Sequence, residues 1–295
     1  MNKYLKSPLN YTGGKHKLLE QIAPLFPTSI DTFVDLFAGG CNVAVNVDAK
    51  KIIANDIDEN IINLYKFFKE NDFEFIVSEI EKYIESFGLS NTSKYGYEKY
   101  KTNSSVGVGK YNKKAYEKLR AEYNKNPNEL MFYTTLVFAF NNQIRFNSKG
   151  EFNTPVNKRD FNKNMKKNLE YFVHRLNELN ISFSSLDFKD IKVSKDSFVY
   201  IDPPYLATLA VYNENGGWNE TKEQELLGYM DALDAMGIRF ALSNVFENKG
   251  NKNTLLLEWS KKYNVHNLEY TYHNCNYQAK NKDSDSTHEV LITNY

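Results

Sequence analysis

The chain has 295 residues, with 37 lysines and arginines against 37 aspartates and glutamates, and two cysteines, Cys41 and Cys275. At roughly 150 residues per domain this is one large domain or two modest ones, and a 41% hydrophobic, 25% charged composition excludes wholesale disorder. Zero net charge argues against an all-over basic surface. No apolar run approaches the ~20 residues that cross a bilayer. Met1 to Leu9 lacks the apolar core of a secretory signal, and two distant cysteines without metal-ligand spacing point to a reducing cytoplasm.

In chain order, Tyr11-Thr-Gly-Gly-Lys15 reads as a glycine turn leading into an amphipathic run that stops before Pro24. Thr32 to Phe37 is a short apolar strand, followed by Ala38, Gly39, Gly40 and a helical stretch with Val43, Ala44 and Val47. Lys51 to Asn55 is a second strand ending at Asp56, and Asp58 to Lys69 a helix with Ile61, Ile62, Leu64, Tyr65 and Phe68 inward. From about Phe73 to Leu169 this rhythm is lost. Helical pieces fall around Tyr116 to Tyr123 and Leu130 to Phe140, between turn-rich loops at Asn103 to Lys110 and Asn147 to Pro155. Alternation then resumes: strand Phe198 to Ile201, helix Thr221 to Met236 with Thr221 and Gln224 as a capping box and Gly237 as its stop, and strand Arg239 to Ser243. A helix from Thr254 to Tyr263 and late strands at Val265 to Tyr272 and Glu289 to Ile292, read as an antiparallel pair, complete the chain. The architecture that fits is a doubly wound α/β sheet interrupted by a basic insert.

The even charge hides an uneven distribution. Lys94 to Glu170 carries 16 basic and seven acidic residues, so the rest of the chain is correspondingly acidic. Such a segment suits a surface facing a polyanion, or a lysine-rich solvated face. Its aromatics, among them Tyr95, Tyr97, Tyr100, Tyr111, Tyr116, Tyr123, Phe146, Phe152 and Phe161, suit either stacking on bases or a core. Arg145 and Arg159 belong to it, and arginine reads guanine edges bidentately where lysine meets phosphate.

Three constellations carry chemistry. Phe37-Ala-Gly-Gly40 with Asp56 places glycines at a strand-to-helix turn, where a ligand can approach the backbone, and an acid at the end of the next strand, where it can accept ribose hydroxyls. The same pattern also fits a structural tight turn, and its spacing disfavours a dinucleotide. Asp202-Pro203-Pro204-Tyr205 directly follows a strand; two prolines remove two donors and turn the chain outward. That leaves the Asp202 carboxylate and the Pro203 carbonyl as acceptors for an exocyclic amine, beside a ring able to stack on its base. The alternative is a rigid proline turn. Lys15, emerging from a glycine turn, suits a phosphate contact without matching a P-loop.

Together these motifs resemble the Dam-like DNA adenine N6-methyltransferases in the alpha arrangement, in which the glycine motif precedes the recognition region and Asp-Pro-Pro-Tyr follows it. The resemblance rests on Tyr11-Thr-Gly-Gly-Lys15, Phe37-Ala-Gly-Gly40, Asn55-Asp56-Ile-Asp58, Arg145-Phe-Asn-Ser-Lys-Gly-Glu-Phe-Asn153, Asp202-Pro-Pro-Tyr205 and Glu289-Val-Leu-Ile. It implies a Rossmann-like S-adenosylmethionine-dependent methyltransferase sheet formed by residues 1–72 and 170–295. Into this is inserted a mainly helical DNA-recognition domain, residues 73–169, with a DNA-reading hairpin near 141–155. It implies site-specific methylation of adenine N6 in double-stranded DNA, by base flipping and direct displacement. Tyr11, Lys15, Phe37, Gly39, Asp56, Phe188 and Asp202 would line the S-adenosylmethionine site, with Asp56 on the ribose and Phe188 on the adenine. Asp202, Pro203, Pro204 and Tyr205 would be catalytic, and Asn141, Asn142, Arg145, Asn147, Lys149, Asn153 and Arg159 would meet DNA. Cys41 stands where the family commonly has glycine, and the Asn142 to Arg145 connection is shorter than in GATC-methylating members. No metal or membrane is expected; the expected protein is a cytoplasmic, bacterial or phage-encoded monomer or weak dimer, with a separate restriction endonuclease as a possible partner. The same amino-group chemistry on RNA adenine or on cytosine, and a DNA-binding protein that has lost catalysis, remain alternatives.

Overall fold

The computed structural model describes residues 3–211, 218–269 and 287–295. In chain order it contains α1 (Leu19–Ile22), β1 (Thr32–Asp35), β2 (Lys51–Asn55), α2 (Glu59–Glu70), α3 (Phe73–Phe87), α4 (Thr92–Tyr95), α5 (Gly109–Lys125), α6 (Glu129–Phe138), α7 (Lys163–Glu178), β3 (Ile181–Ser184) and β4 (Ser197–Ile201). There follow α8 (Glu220–Ala235), β5 (Arg239–Asn248), β6 (Asn251–Lys252), α9 (Thr254–Ser260), β7 (Asn264–Leu268) and β8 (Thr287–Thr293). The chain divides into two compact units, one of residues 1–16, 39–46 and 58–185, the other of 17–38, 47–57 and 186–295.

The second unit is a mixed sheet with strand order β2-β1-β4-β5-β8-β7. Its β2, β1, β4 and β5 run parallel, and β8 pairs antiparallel with both β5 and β7. All five residues of β4, Ser-Phe-Val-Tyr-Ile, are buried, as befits a central parallel strand covered on both faces. Val34, Val199, Ile201, Leu226, Met230, Phe240, Leu242 and Ile292 belong to one continuous buried core. The late antiparallel pair expected from the sequence is present as β7 and β8; the expected continuation to Tyr272, and Cys275, lie outside the described residues.

The first unit is mainly helical. In α6, Leu130 to Phe138 are buried without a break, which makes it the central helix of this unit, since an amphipathic surface helix would show a polar face. Asp58 caps α2 by accepting the Asn60 N–H, and Asp72 caps α3 by accepting the Phe75 N–H. Tyr116, Tyr123, Phe152 and Phe161 of the basic segment are buried here and fill core, while Tyr95 and Tyr111 are exposed.

Two local expectations are corrected. The stretch after Gly40 is a chain of turns, not a helix, because Cys41 sits at φ 57°, which breaks a right-handed helix at its first residue. The cap of α8 is Asn219, whose side chain accepts the Lys222 N–H; Thr221 already lies inside the helix, so the Thr221–Gln224 box does not form. Gly237, at φ 71°, follows the helix end as expected.

Candidate active site

In the second unit, the motif residues lie at the carboxyl ends of β1, β2 and β4. Leu36 donates its N–H to the Tyr200 carbonyl at 3.0 Å and Ala38 donates to Asn55 at 2.7 Å, so the chain leaving β1 stays laced to β4 and β2. Phe37, half-buried between them, packs on the Phe188 ring at 5.7 Å. Asp56, buried, follows β2 directly. Asn55 is buried beside it: its amide donates to Leu36 O at 3.1 Å and Leu186 O at 2.9 Å, and its Oδ1 accepts the Leu186 N–H at 3.0 Å. One side chain thereby fixes the segment carrying Phe188 against the end of β1.

Asp202 to Tyr205 leave β4 as an irregular turn in which Pro203 is buried and Pro204 exposed. The Tyr205 hydroxyl donates to Asp202 Oδ1 at 2.8 Å and lies 3.4 Å from Glu289 Oε1. Glu289 reaches this point because β8 pairs beside β5, opposite Val245. Burial, followed by the charges of Asp202 and Glu289, raises the Tyr205 phenol well above its usual range, so it serves as a hydrogen-bond donor and not as an anion. The site therefore combines two carboxylates, one neutral phenol and a proline turn.

In the first unit, Tyr11 and Gly39 come together. Gly39 has φ 45°, and a Cβ there would lie 2.8 Å from Tyr11 Cε1 and 2.9 Å from Cδ1. The Tyr65 hydroxyl donates to the Gly39 carbonyl at 2.7 Å and pins this turn. Lys15 is buried and donates to Gly13 O at 2.9 Å. Cys41 keeps the left-handed backbone that glycine adopts more easily, with its side chain fully buried.

Phe146 pairs antiparallel with Phe152 around a turn at Asn147 to Gly150, forming a hairpin within residues 141–155. Several of the candidate residues build this hairpin. Asn147 Oδ1 accepts the Lys149 and Glu151 N–H groups and its amide donates to Glu151 Oε2. Asn142 donates to the Leu136 and Val137 carbonyls at the end of α6. Arg145 donates through Nε to Asn153 Oδ1 at 2.7 Å and through Nη2 to Asn153 O at 3.1 Å. Asn141 holds φ 53°, and its carbonyl accepts from the Asn10 amide. Arg145, Lys149 and Arg159 are exposed. Beside Arg159, Asp160 is buried and accepts from Ser90 Oγ at 2.7 Å, the Thr92 N–H at 2.7 Å and Thr92 Oγ1 at 2.6 Å.

Sequence reasoning quoted Asn55 and Glu289 within motifs without giving them a role, read Tyr65 only as an inward helix residue, and singled out none of Arg120, Trp218 and Glu223. Arg120 supports the hairpin by donating to the Thr154 carbonyl at 3.0 Å; its partner is 34 residues away, so no local pattern marks it. Among the described residues no cluster of three or more His, Cys, Asp and Glu side chains is arranged to hold a metal ion.

A mostly parallel α/β sheet with a glycine turn after its first strand, an acid after its second and an Asp-Pro-Pro-Tyr turn after a central strand is consistent with an S-adenosylmethionine-dependent methyltransferase fold. The chain belongs to the D12 class N6 adenine-specific DNA methyltransferase family, whose model matches residues 11–274. It is 43% identical over 303 residues to the type II methyltransferase M.FokI of Planomicrobium okeanokoites, covering 100% of this chain and 43% of that protein. To the modification methylase StsI of Streptococcus sanguinis it is 43% identical over 302 residues, covering 99% of this chain and 43% of StsI. The type II methyltransferase M.MjaIII of Methanocaldococcus jannaschii is 26% identical over 317 residues, with 99% of both chains covered. This chain thus spans less than half the length of the first two relatives and nearly the whole length of the third. No helix among the described residues is long and apolar enough to cross a membrane.

Proposed function

We propose that this chain transfers a methyl group from S-adenosylmethionine to the N6 amino group of adenine in double-stranded DNA, as the modification half of a restriction–modification pair. The observation that carries the reading is the Asp202–Tyr205 turn at the end of the buried central strand β4, with the Tyr205 hydroxyl bound to Asp202. The family and the relatives named above support it.

The residues present fit the donor. Gly39, lacking a Cβ, lets the Tyr11 ring close onto the glycine turn, and Phe37 with Phe188 offers an aromatic pair for a purine. Asp56, at the end of β2, is suited to the ribose hydroxyls. Tyr11, Lys15, Gly39 and Asp202 are the further residues assigned to donor binding. When bound, S-adenosylmethionine supplies an electrophilic methyl on a sulfonium.

The protein's own contribution is to extract, orient and polarise the amine. The target adenine leaves the duplex at a cost of a few kcal/mol, and the Tyr205 ring stacks on it. A carboxylate accepts up to about four hydrogen bonds, so Asp202 can hold the Tyr205 hydroxyl and also accept one N6 hydrogen, while the Pro203 carbonyl accepts the other. These acceptors direct the nitrogen lone pair toward the methyl. Rate enhancement then comes from proximity and fixed dipoles. Asp202 takes the proton only after nitrogen has gained positive charge. Residues 73–169 act as the DNA-recognition domain, with Arg145, Lys149, Asn153 and Arg159 meeting DNA, while Asn141, Asn142 and Asn147 shape the hairpin that presents them.

The test is incorporation of labelled methyl into duplex DNA, single-stranded RNA and cytosine-only DNA. Transfer confined to adenine-containing duplex supports the reading, and transfer to RNA or to cytosine replaces it. Asp202→Ala is expected to lose turnover and retain DNA affinity.

A further inference from the structure

Glu223, in the first turn of α8, is wholly buried. Its Oε2 accepts the indole N–H of Trp218, and its Oε1 accepts the Asn253 amide at 2.7 Å and the Asn244 amide at 3.4 Å. Neither asparagine is placed to turn its oxygen toward Glu223 instead. Asn253 Oδ1 caps α9 by accepting the Leu256 N–H at 3.0 Å, and Asn244 Oδ1 accepts the Val245 N–H at 2.7 Å. Three donors therefore converge on one side chain, within the about four acceptor sites that a carboxylate offers. Burial pushes the Glu223 carboxyl up, and bonds from Trp218, Asn253 and Asn244 offset this in part. Burying a carboxyl group is costly unless it is hydrogen-bonded, so its presence asks what it secures.

What it secures is the direction of one ring. The Trp218 indole stands edge-on to Phe37, with centroids 5.7 Å apart and planes at 82°, and lies 6.3 Å from Phe188. It is 8% exposed, so it backs the Phe37–Phe188 pair. Packing alone leaves an indole free to reverse in its slot, whereas an N–H bound to a fixed carboxylate admits one orientation. We propose that Glu223 is a positioning residue for the methyl donor: by fixing the Trp218 N–H it fixes the ring against which Phe37 and Phe188 are set. This rests on the methyltransferase reading above and assigns Trp218 and Glu223 to the adenine end of the donor site.

The test uses the full chain, with S-adenosylmethionine as the probe, in four forms: wild type, Glu223→Gln, Trp218→Phe and the double variant. Losing the edge-on aromatic contact, or its orientation, is expected to weaken donor binding by calorimetry, and to raise the donor KM, roughly three- to tenfold. The kcat and the KM for DNA stay within about twofold. The double variant matches the worse single variant, because both remove one interaction. The chain has two tryptophans, so in a Trp259→Phe background the emission reports Trp218 alone; it shifts on donor addition with Glu223 present and loses that response in Glu223→Gln. If Glu223→Gln fails to fold by circular dichroism, Trp218→Phe carries the test, since it removes one donor and leaves the carboxylate satisfied by both asparagines. Wild-type donor affinity in Trp218→Phe, or single effects that multiply in the double variant, overturn the proposal while leaving the methyltransferase reading intact. A wild-type chain that binds no donor overturns both.

Discussion

Gly39→Ala separates backbone strain from site geometry. At φ 45° an L side chain costs about 1–2 kcal/mol. The new Cβ would also lie 2.8 and 2.9 Å from two carbons of the Tyr11 ring, where ordinary contact begins near 3.4 Å, so the ring must retreat by at least half an ångström. Forced overpacking in a rigid core costs about 1–3 kcal/mol, but Tyr11 is half-buried and can yield. Chemical denaturation should therefore show a loss of about 1–2 kcal/mol, mostly backbone, while the displaced Tyr11 appears as weaker binding of S-adenosylmethionine, about tenfold or more. Gly88→Ala is the matched control. That glycine ends α3 at φ 71° with nothing within 4 Å of its added Cβ, so it carries the same strain without a displaced neighbour. It should lose similar stability and keep donor affinity. Equal donor affinity in Gly39→Ala and wild type would refute the assignment of Tyr11 and Gly39 to the donor site.

Arg145→Ala is expected to change which sequences are methylated more than it lowers affinity for unrelated DNA; uniform weakening with a shallower salt dependence would make Arg145 a phosphate contact. Asn153→Ala should produce part of the same change, because it frees the Arg145 Nε–H from its 2.7 Å bond, and methylation-site profiles of the two variants test this. Asp160→Ala strands three buried or half-buried donors from Ser90 and Thr92 and should cost about 3 kcal/mol in denaturant unfolding. Burial raises Asp231, but bonds from Lys262, Trp259 and Tyr263 outweigh it and leave the carboxyl below its usual range. A depressed acid stabilises the fold above its unfolded pKa and loses that contribution as pH falls through the folded value. The stability deficit of Asp231→Asn should therefore be present at pH 7 and shrink in acid; a deficit independent of pH would contradict this.

The parts of the fold legible in the sequence are those with short-range causes. The β1 and β2 runs, the Asp58 start of α2 and the proline turn after β4 each follow from a few adjacent side chains. The failures have local causes too. Cys41 adopts a left-handed backbone that its side chain does not advertise, which turned an expected helix into turns. Asn219 and Thr221 are comparable caps by type, and the extended backbone at Asn219, φ −145° and ψ 177°, decides between them. What was not legible is carried by distant partners. Asn55 binds Leu186 across 131 residues of chain, and Glu223 gathers Asn244 and Asn253 from two later elements. The hairpin asparagines show a further limit: the family resemblance placed them among the residues that would meet DNA, and the bonds of the Asn142 and Asn147 carboxamides to nearby backbone were not legible in it.

The most direct test of the central claim is to map modified bases in DNA from cells expressing this chain alone, beside cells expressing Asp202→Ala. The native chain should leave N6-methyladenine at one recurrent sequence and the variant none. Methylation on cytosine, or adenine methylation that persists when Asp202 is replaced, would contradict it.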